Sequence, residues 1–329
     1  MRLCQLPARP LPVTLRPLGG ETVISYTRRL AEVNGLAPTA IFRALGQVIP
    51  GSGHHLLDHD AWLNDQAIAR LEAFSALPRH RLATVLPALR WGPPRWFPPL
   101  PEGSPALRCY RPWPAARPAC RPCALRACGG TTATVLVRPQ ASPLLCRRHL
   151  RWLGGAAETA QAGISAAPEI LTAHRRYQQI LARSSDRKWA AASIGAAWRI
   201  TTHWAHDPYR RPRLRSRWQD RASRLGLTGP PSQPAVTFPE AVALAQVLTD
   251  PDWRRHVAMV REWQLDRFYW RIALQLGEPS CRFPSRGDPI VTWTARHRSR
   301  FAPIRDSFWK RPELAWASST PFPEKSQFR

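Results

Sequence analysis

Four cysteine and histidine residues near the middle of the chain form two pairs with the spacing of metal ligands. Two residues separate Cys120 from Cys123, two separate Cys146 from His149, and 22 residues lie between the pairs. A Cys-x2-Cys turn presents two sulfur atoms to one ion, and zinc prefers four tetrahedral thiolate or imidazole ligands. The pattern therefore predicts a closed, structural Zn²⁺ site of the Cys3His type.

Two other interpretations of these cysteines explain less of the pattern. A thioredoxin-like redox pair needs a βαβ context after the Cys-x2-Cys motif, and the sequence does not provide one. Burial as inert thiols explains neither the second pair nor the histidine. Cys128 is the main alternative ligand, and the other cysteines are interpreted as free structural thiols: Cys4, Cys109 and Cys281.

Arginines are concentrated around the four predicted ligands. Guanidinium groups in such positions can contact backbone phosphates, which makes this module a candidate nucleic-acid contact. The alternative is a solvated basic surface that binds nothing. The five residues, here called the arginine rim, are Arg121, Arg126, Arg147, Arg148 and Arg151.

The charge of the whole chain points to the same class of partner. The 329 residues include 48 Lys and Arg against 22 Asp and Glu, a formal net charge of +26. A GC-rich genome, which favours arginine codons, explains why lysine is rare, but it does not explain the excess of basic over acidic residues. Such an excess favours a polyanionic partner, and DNA is the first candidate.

The sequence does not indicate a membrane protein. It contains no uninterrupted run of 18 apolar residues, so no membrane span is expected. Prolines interrupt the first 20 residues, where a signal peptide needs a continuous apolar core. We therefore expect a cytoplasmic, nucleoid-associated protein whose cysteines are reduced.

Apolar periodicity and proline placement predict a mainly α-helical fold in four parts. Residues 1–20 are expected to form an extended Pro-rich arm, and residues 21–89 a helical region that contains a helix-turn-helix. Residues 90–155 are expected to form a Pro-rich linker with little regular structure, followed by the zinc-finger module. Residues 156–329 are expected to form a basic, helical C-terminal region.

Two pairs of helices in the 21–89 region are candidates for reading DNA. In a helix-turn-helix, the second helix enters the major groove. The candidate second helices are 38–45, which carries Arg43, and 78–89, which carries Arg79, His80 and Arg81. Simple core packing in a helical domain is the alternative for each pair.

Two features of the C-terminal region also suggest nucleic acid. The segment 210–226 contains many arginines and one acidic residue, and Arg211 and Arg215 are its predicted phosphate contacts. Aromatic residues are interleaved with arginines in 186–200 and 266–277, a pattern that single-strand binders use for base stacking. At helical spacing, however, a buried apolar stripe is the preferred interpretation.

A group of histidine and aspartate residues at 54–60 could form a second metal site or a hydrolytic centre. The preferred interpretation is a loop and a helix cap before Trp62, because aspartate caps helices well. The sequence contains no phosphate-binding loop, nucleophile elbow or His-Glu-x-x-His motif, so no catalytic residues are assigned. The group consists of His54, His55, Asp58, His59 and Asp60.

The ordered combination of three segments resembles the TniQ family, which includes the TnsD-type target selectors of bacterial transposons. The segments are "GGETVISYTRRLAEVNGL", "CRPC" and "LLCRRHLRWLGG", and the resemblance covers about residues 10–155. The family's zinc ligands correspond to the two pairs described above. The residues that match its N-terminal pattern are Glu21, Thr22, Ser25, Tyr26, Arg29, Leu30, Ala31, Asn34 and Gly35. One departure is a more basic surface after Cys123.

The resemblance implies an adaptor without catalysis of its own. Proteins similar to TniQ bind DNA, or a guide RNA-protein complex, and pass the target to a transposition ATPase and a transposase. A stand-alone zinc-containing transcriptional regulator is the first alternative function, and a metal-dependent nuclease acting at the 54–60 group is the second.

Overall fold

The computed structural model describes most of the chain and confirms that it is mainly helical. The described residues are 3–48, 59–92, 98–111, 115–128, 134–138, 144–154, 161–207, 211–228, 233–278, 284 and 287–300. Within them lie thirteen α-helices and seven short strands. The chain divides into two compact units, residues 1–165 and 166–329.

The first unit begins with two helices at the predicted positions. Helix α1 spans Val23–Val33, and its first turn is capped by Thr22, whose side chain accepts a hydrogen bond from the Ser25 amide. Gly35 follows the helix with a φ of +63°, a left-handed conformation that favours glycine and ends helices. Helix α2 spans Pro38–Leu45. Its proline occupies the first turn, where the missing N–H costs nothing.

Three more helices complete the N-terminal core. Helices α3 and α4 span Asp65–Ser75 and Arg79–Val85, and α5 spans Pro87–Trp91. The candidate helix 78–89 is therefore divided: Pro78 precedes α4, and Leu86, in extended conformation, separates α4 from α5. The described part of the predicted arm contributes to the core through Leu15, while other core side chains come from the helices and strands: Ile24, Leu30, Leu45, Leu63, Leu71 and Leu82.

The structure contains a three-stranded sheet that the sequence analysis did not predict, and two of its strands lie in the 21–89 region that was expected to be helical. Strand β3, Ala106–Tyr110, lies between β1, Gln47–Val48, and β2, Asp60–Leu63. The β1–β3 pair is parallel and the β2–β3 pair is antiparallel. The prediction of little regular structure after residue 90 was therefore wrong for β3. This strand pairs with segments more than 40 residues away, which local proline content cannot reveal.

The Cys3His module is built from very short elements. Strands β4, Arg117–Pro118, and β5, Leu136–Val137, pair on either side of helix α6, Arg121–Ala127. Strands β6, Leu145–Cys146, and β7, Arg151–Trp152, form a second antiparallel pair. Strand β5 lies in the stretch 131–138, whose β-branched residues favour a strand.

A buried polar network joins helix α1 to this module. Arg29 and Glu21 form a fully buried ion pair at 2.7 Å, and Arg29 also donates to the Ala127 carbonyl at the end of α6. The Ser25 hydroxyl accepts a hydrogen bond from the amide of Leu136 in β5. Removing any one charge would leave its partner buried and unpaired, which is costly. The N-terminal helices and the module are therefore parts of one packed unit.

The second unit is a helical assembly with its own core. Helix α10 supplies its centre and is buried on most sides. It contributes the buried Phe238, and large buried aromatic side chains of other helices also belong to the core of this unit, including Trp204, Trp218 and Phe268. The seven helices are α7 Pro168–Arg183, α8 Arg187–His206, α9 Pro212–Arg224, α10 Pro234–Thr249, α11 Pro251–Met259, α12 Asp266–Gln275 and α13 Pro289–Arg300.

Buried ion pairs reinforce this second core. Arg221 donates to both oxygens of Glu240, at 2.8 and 3.0 Å, and to Glu169 at 2.9 Å. Trp218 donates its indole N–H to the same Glu240 carboxylate. Two arginines of the basic segment 210–226, Arg211 and Arg221, are part of the interior. Among the helices of the described ranges, none is both long and apolar enough to cross a bilayer.

Candidate metal centre

The four predicted ligands converge at one point of the first unit. Cys120 is the residue that precedes helix α6, Cys123 lies in its first turn, Cys146 ends strand β6, and His149 lies in the turn that follows. The three sulfur atoms and one imidazole nitrogen all lie within 4.8 Å of one another. These atoms can hold a metal ion, and this part of the prediction is confirmed.

The distances between donor atoms correspond to the edges of a small tetrahedron. His149 Nδ1 lies 3.5 Å from the Sγ of Cys120, 3.2 Å from that of Cys123 and 3.6 Å from that of Cys146. The Sγ atoms of Cys123 and Cys146 are 3.8 Å apart. A single ion at the centre would contact all four atoms, and no ligand position would remain for substrate.

Two tight turns bring the ligands together. The Ala124 amide donates to the Cys120 carbonyl at 2.8 Å and closes the Cys-x2-Cys turn. The second turn, between β6 and β7, ends at Leu150, which has a φ of +46°. This left-handed conformation is unfavourable for leucine and is tolerated only where the surroundings require it. Here the Leu150 carbonyl accepts a hydrogen bond from the Ile164 amide.

Gln161 holds the first turn in place, and sequence reasoning did not identify it. Its side-chain oxygen accepts a hydrogen bond from the Arg121 amide at 2.9 Å, and its side-chain nitrogen donates to the Ala119 carbonyl at 2.6 Å. These two bonds bracket Cys120. Gln161 is 41 positions from Cys120 and matches no ligand spacing, so only the fold places it here.

The thiols do not have equal acidity in the metal-free cluster. Burial raises the pKa of Cys120 to about 12. Burial also acts to raise the pKa of Cys146, but hydrogen bonds from the His149 amide and from neighbouring thiols outweigh it and lower that pKa. Cys146 is therefore the first of these ligands to become a thiolate.

The histidine ligand is held neutral by its surroundings. Desolvation lowers the pKa of His149, and the nearby charges of Arg126, Arg148 and Arg151 lower it further. Neutral imidazole is the form that binds a metal. The arginine rim thus lies close enough to the cluster to affect its titration.

The remaining cysteines do not join the cluster. Cys128 is buried among Ala119, Ala124, Val135 and Val137, apart from the four ligands. Cys4 and Cys109 are half-buried free thiols, as expected, and Cys281 lies outside the described residues. The structure thus brings together the same four residues that the sequence analysis named as ligands.

Most of the arginine rim faces solvent. Arg121, Arg126, Arg147 and Arg148 are exposed, whereas Arg151 is half-buried and donates to the Gln161 carbonyl at 3.1 Å. Four guanidinium groups beside the cluster are therefore accessible to an anionic partner. Two of these arginines, Arg121 and Arg126, come from α6, and the other two lie in the turn after β6.

The other predicted nucleic-acid contacts fall into two groups. Arg43 on α2 and Arg81 on α4 are exposed, and so is Arg79, although it pairs with Asp65 at 2.8 Å. Arg215 on α9 is half-buried.

The prediction that Arg211 contacts phosphate was wrong. Its side chain is 6% exposed, lies over the Trp204 ring at 3.9 Å and pairs with Asp288 at 3.5 Å. A sequence rich in arginine does not reveal which of its arginines have a buried carboxylate partner.

The 54–60 group is not a site within the described residues. Asp60 is fully buried, accepts hydrogen bonds from the amides of Val23 and Ala61, and pairs with Arg138 at 2.8 Å. It therefore anchors the start of α1 rather than capping a helix before Trp62, as the sequence had suggested. His54, His55 and Asp58 lie outside the described residues.

Comparison with family models, with curated proteins and with solved structures finds no match to this chain.

Proposed function

We propose that this protein is a zinc-containing, DNA-binding adaptor of the TniQ type, which selects a DNA target and recruits a transposition ATPase and a transposase. The observation that carries the DNA-binding part is the group of four exposed arginines beside the Cys3His cluster. The recruitment part rests on the sequence resemblance described above.

Zinc is the metal that best fits the donor set. A tetrahedral Zn²⁺ ion has Zn–S bonds of about 2.3 Å and Zn–N bonds of about 2.0–2.1 Å, which require S···S edges of about 3.8 Å and S···N edges of about 3.5 Å. The cluster has an S···S edge of 3.8 Å and S···N edges of 3.2–3.6 Å. Thiolate sulfur and imidazole nitrogen are also the donors that structural zinc prefers.

The metal would hold the arginine rim in position rather than perform chemistry. All four coordination positions are filled by protein, so no position remains for an activated water. Arg121 and Arg126 lie on α6, beside Cys123, and Arg147 and Arg148 directly follow Cys146. Fixing the ligands therefore fixes four phosphate-binding groups relative to one another.

The helix pairs of the first unit would supply the reading of sequence. In the helix-turn-helix arrangement, α2 with Arg43 or α4 with Arg79 and Arg81 would enter the major groove. Phosphate contacts position a protein on DNA, and base contacts specify the site. The rim and the helices therefore have complementary roles in this proposal.

DNA binding is tested by neutralising part of the rim. The variant Arg147→Gln/Arg148→Gln should weaken binding to duplex DNA and reduce the slope of log K against log salt by about 1.8 for two lost contacts. The matched control is Arg199→Gln/Arg296→Gln, which removes the same charge from exposed positions in the second unit. Equal losses in both variants would indicate a general charge effect and contradict the assigned contact.

Target selection is tested separately in cells. A crosslinking footprint of the tagged protein should give one or a few sharp peaks beside a transposon end or its insertion site, with the ATPase and transposase captured alongside. Sharp peaks at promoters without these partners would favour the stand-alone regulator. Absence of duplex binding in solution, together with absence of peaks, would overturn the proposal.

A further inference from the structure

The second unit contains a basic cavity that is separate from every residue discussed for the metal centre. It has a volume of about 510 Å³, within the range typical of ligand sites. Helix α7 lines it with Arg176, Gln179 and Arg183, which recur at spacings of three and four and so lie on one face. Helices α10, α11 and α12 supply the other walls.

The cavity has more positive charge than its own carboxylates can balance. Four arginines line it, but only two aspartates. Both aspartates are already used as helix caps: Asp186 accepts from the Trp189 amide, and Asp250 accepts from the amides of Asp252 and Trp253. The arginines are Arg176, Arg183, Arg254 and Arg271. Excess positive charge in a concave site favours an anionic ligand.

One of these arginines also lacks a hydrogen-bond acceptor. The Nε of Arg254 is buried and, among the described residues, has no hydrogen-bond partner. Its guanidinium group stacks on the Trp189 ring at 4.0 Å, which fixes the side chain. The Nε atom itself is closed to a ligand in the cavity, so Arg254 would act on an anion there through its positive charge.

An exposed aromatic surface lies on helix α12. Trp263 is 69% exposed, and Trp270 is 58% exposed. The short 3-10 turn Glu262–Leu265 runs directly into α12, and Leu265 and Asp266 have helical φ and ψ. Trp263 and Trp270 are seven residues apart and therefore lie on the same side of this continuous segment. Exposed Leu274 extends the same side.

The cavity and the aromatic surface meet along the solvent-facing side of α12. Arg271 and Gln275 line the cavity, whereas Trp270 and Leu274 immediately precede them in sequence. At 100° per residue, these four positions occupy one continuous arc of the helix. Phosphate-binding and ring-stacking groups are therefore side by side.

We propose that the second unit binds single-stranded nucleic acid, with backbone phosphates in the arginine cavity and unpaired bases stacked on Trp270 and Trp263. This goes beyond the proposed duplex-binding function, because it concerns different residues and a different nucleic acid. Bases in a duplex are stacked on one another, whereas bases of a single strand offer their faces to aromatic side chains. The combination of a basic groove with exposed aromatics is typical of single-strand binders.

The test measures binding of the full chain to three labelled probes by fluorescence anisotropy. The probes are an oligothymidine and an oligouridine of about 16 nucleotides, the upper end of common site sizes, and a duplex of equal length. The cavity variant is Arg183→Gln/Arg271→Gln, and the stacking variant is Trp270→Ala. The matched control is Arg175→Gln/Arg296→Gln, since Arg175 is exposed on α7 but does not line the cavity.

We expect both test variants to weaken single-strand binding by about ten-fold. The cavity variant should also reduce the salt slope by about 1.4, for two lost contacts with a single strand, while the stacking variant leaves that slope unchanged. The control variant should change the affinity less than two-fold. Binding of either single strand supports the inference, and the tighter of the two identifies DNA or RNA as the source of the ligand.

Several results would overturn the inference. If the wild type binds the duplex but neither single strand, the inference fails while the proposed function stands; if it binds no probe, both fail. Single-strand affinity unchanged in both test variants would also overturn it. Dissociation of an oligomer by Trp270→Ala, at unchanged affinity, would instead identify the aromatic surface as an interface between copies.

Discussion

In the Cys3His module each strand is two residues long, whereas the helices of the second unit extend to 20 residues. The module buries Trp152 and Leu145, but its other buried groups include small ones such as Ala119, Ala124 and Val137. The second unit buries Trp204, Trp218 and other large side chains. Apolar burial is the main stabilising contribution in folding, so the second unit gains more stability from its core than the module does.

This difference explains why a bound metal would stabilise the module more than it would a region with a large core. A small module that cannot bury enough apolar surface needs an additional constraint, and a metal ion that binds four separated ligands provides one. The second unit already has a large core and buried ion pairs such as Arg221–Glu240. Four predictions test this contrast, from the largest expected effect to the smallest.

Loss of a metal ligand should unfold the module but not the second unit. Structural zinc contributes an apparent binding free energy of about 10–16 kcal/mol, so Cys146→Ala should remove the metal and the hydrogen-exchange protection of strands β4 to β7. Protection of helices α7 to α13 should remain. Cys4→Ala is the control and should keep its metal. A metal-free Cys146→Ala protein with full protection in the module would contradict a structural role.

The second unit should instead be sensitive to its aromatic core. Trp218 is completely buried and donates a hydrogen bond to Glu240, so Trp218→Ala should lower the free energy of unfolding by about 3–5 kcal/mol. Metal content should not change. The matched control Trp263→Ala removes an exposed tryptophan and should cost less than about 0.5 kcal/mol. Urea unfolding and metal analysis of the same samples measure both quantities.

Acid should destabilise the second unit through Glu169. Partial burial acts to raise its pKa, but hydrogen bonds from Arg224 and Arg221 prevail and lower that pKa to about 2. Because the folded-state pKa is depressed, this contribution is present above the unfolded pKa of 4.5 and is lost as pH falls towards 2. Allowing for solvent screening, we expect a loss of about 2 kcal/mol.

This effect is measured by urea unfolding in a Cys146→Ala background, so that metal release does not contribute to the pH dependence. Glu169→Gln cannot titrate and should show a correspondingly flatter profile between pH 4.5 and 2. Identical profiles for the two proteins would show that the Glu169 pairs are not maintained in solution.

The smallest expected effect concerns the residue that supports the metal site without touching the ion. Gln161→Ala removes two hydrogen bonds around Cys120, and changes of this kind lower metal affinity by about ten-fold. Competition with a chelator measures this affinity. Gln178→Ala, at an exposed position on α7, is the control. Unchanged affinity in Gln161→Ala would mean that the turn is stable without the glutamine.

Local signals in the sequence predicted the helices and the ligands well. Helix α1 follows a capping threonine and ends at a glycine, and α2 begins at a proline, so each carries its own boundary signals. Proline is a less definite signal: Pro234 begins α10, whereas Pro239 lies inside the same helix and removes one of its backbone donors. A proline in the sequence therefore does not by itself fix a helix boundary.

Those local signals could not predict pairing between strands or charges that are distant in sequence. Strand β3 was missed because its partners β1 and β2 are distant in sequence. Arg211 was assigned to the surface because arginine is normally exposed, yet Asp288 lies 77 positions away and pairs with it in the interior. The aromatic pattern of 266–277 was interpreted as core, which is correct for Phe268 and wrong for Trp270.

The sequence by itself determined the mainly helical class and the four metal ligands, because helix boundaries and Cys-x2-Cys and Cys-x2-His turns depend on residues a few positions apart. Only the tertiary structure decided that Gln161 supports the ligands and that Arg211 is buried. It also assembled the cavity of four arginines from three separate helices. These features depend on contacts between segments that are distant in sequence. Such contacts form only when the whole unit folds, because apolar burial and charge pairing involve all of its segments.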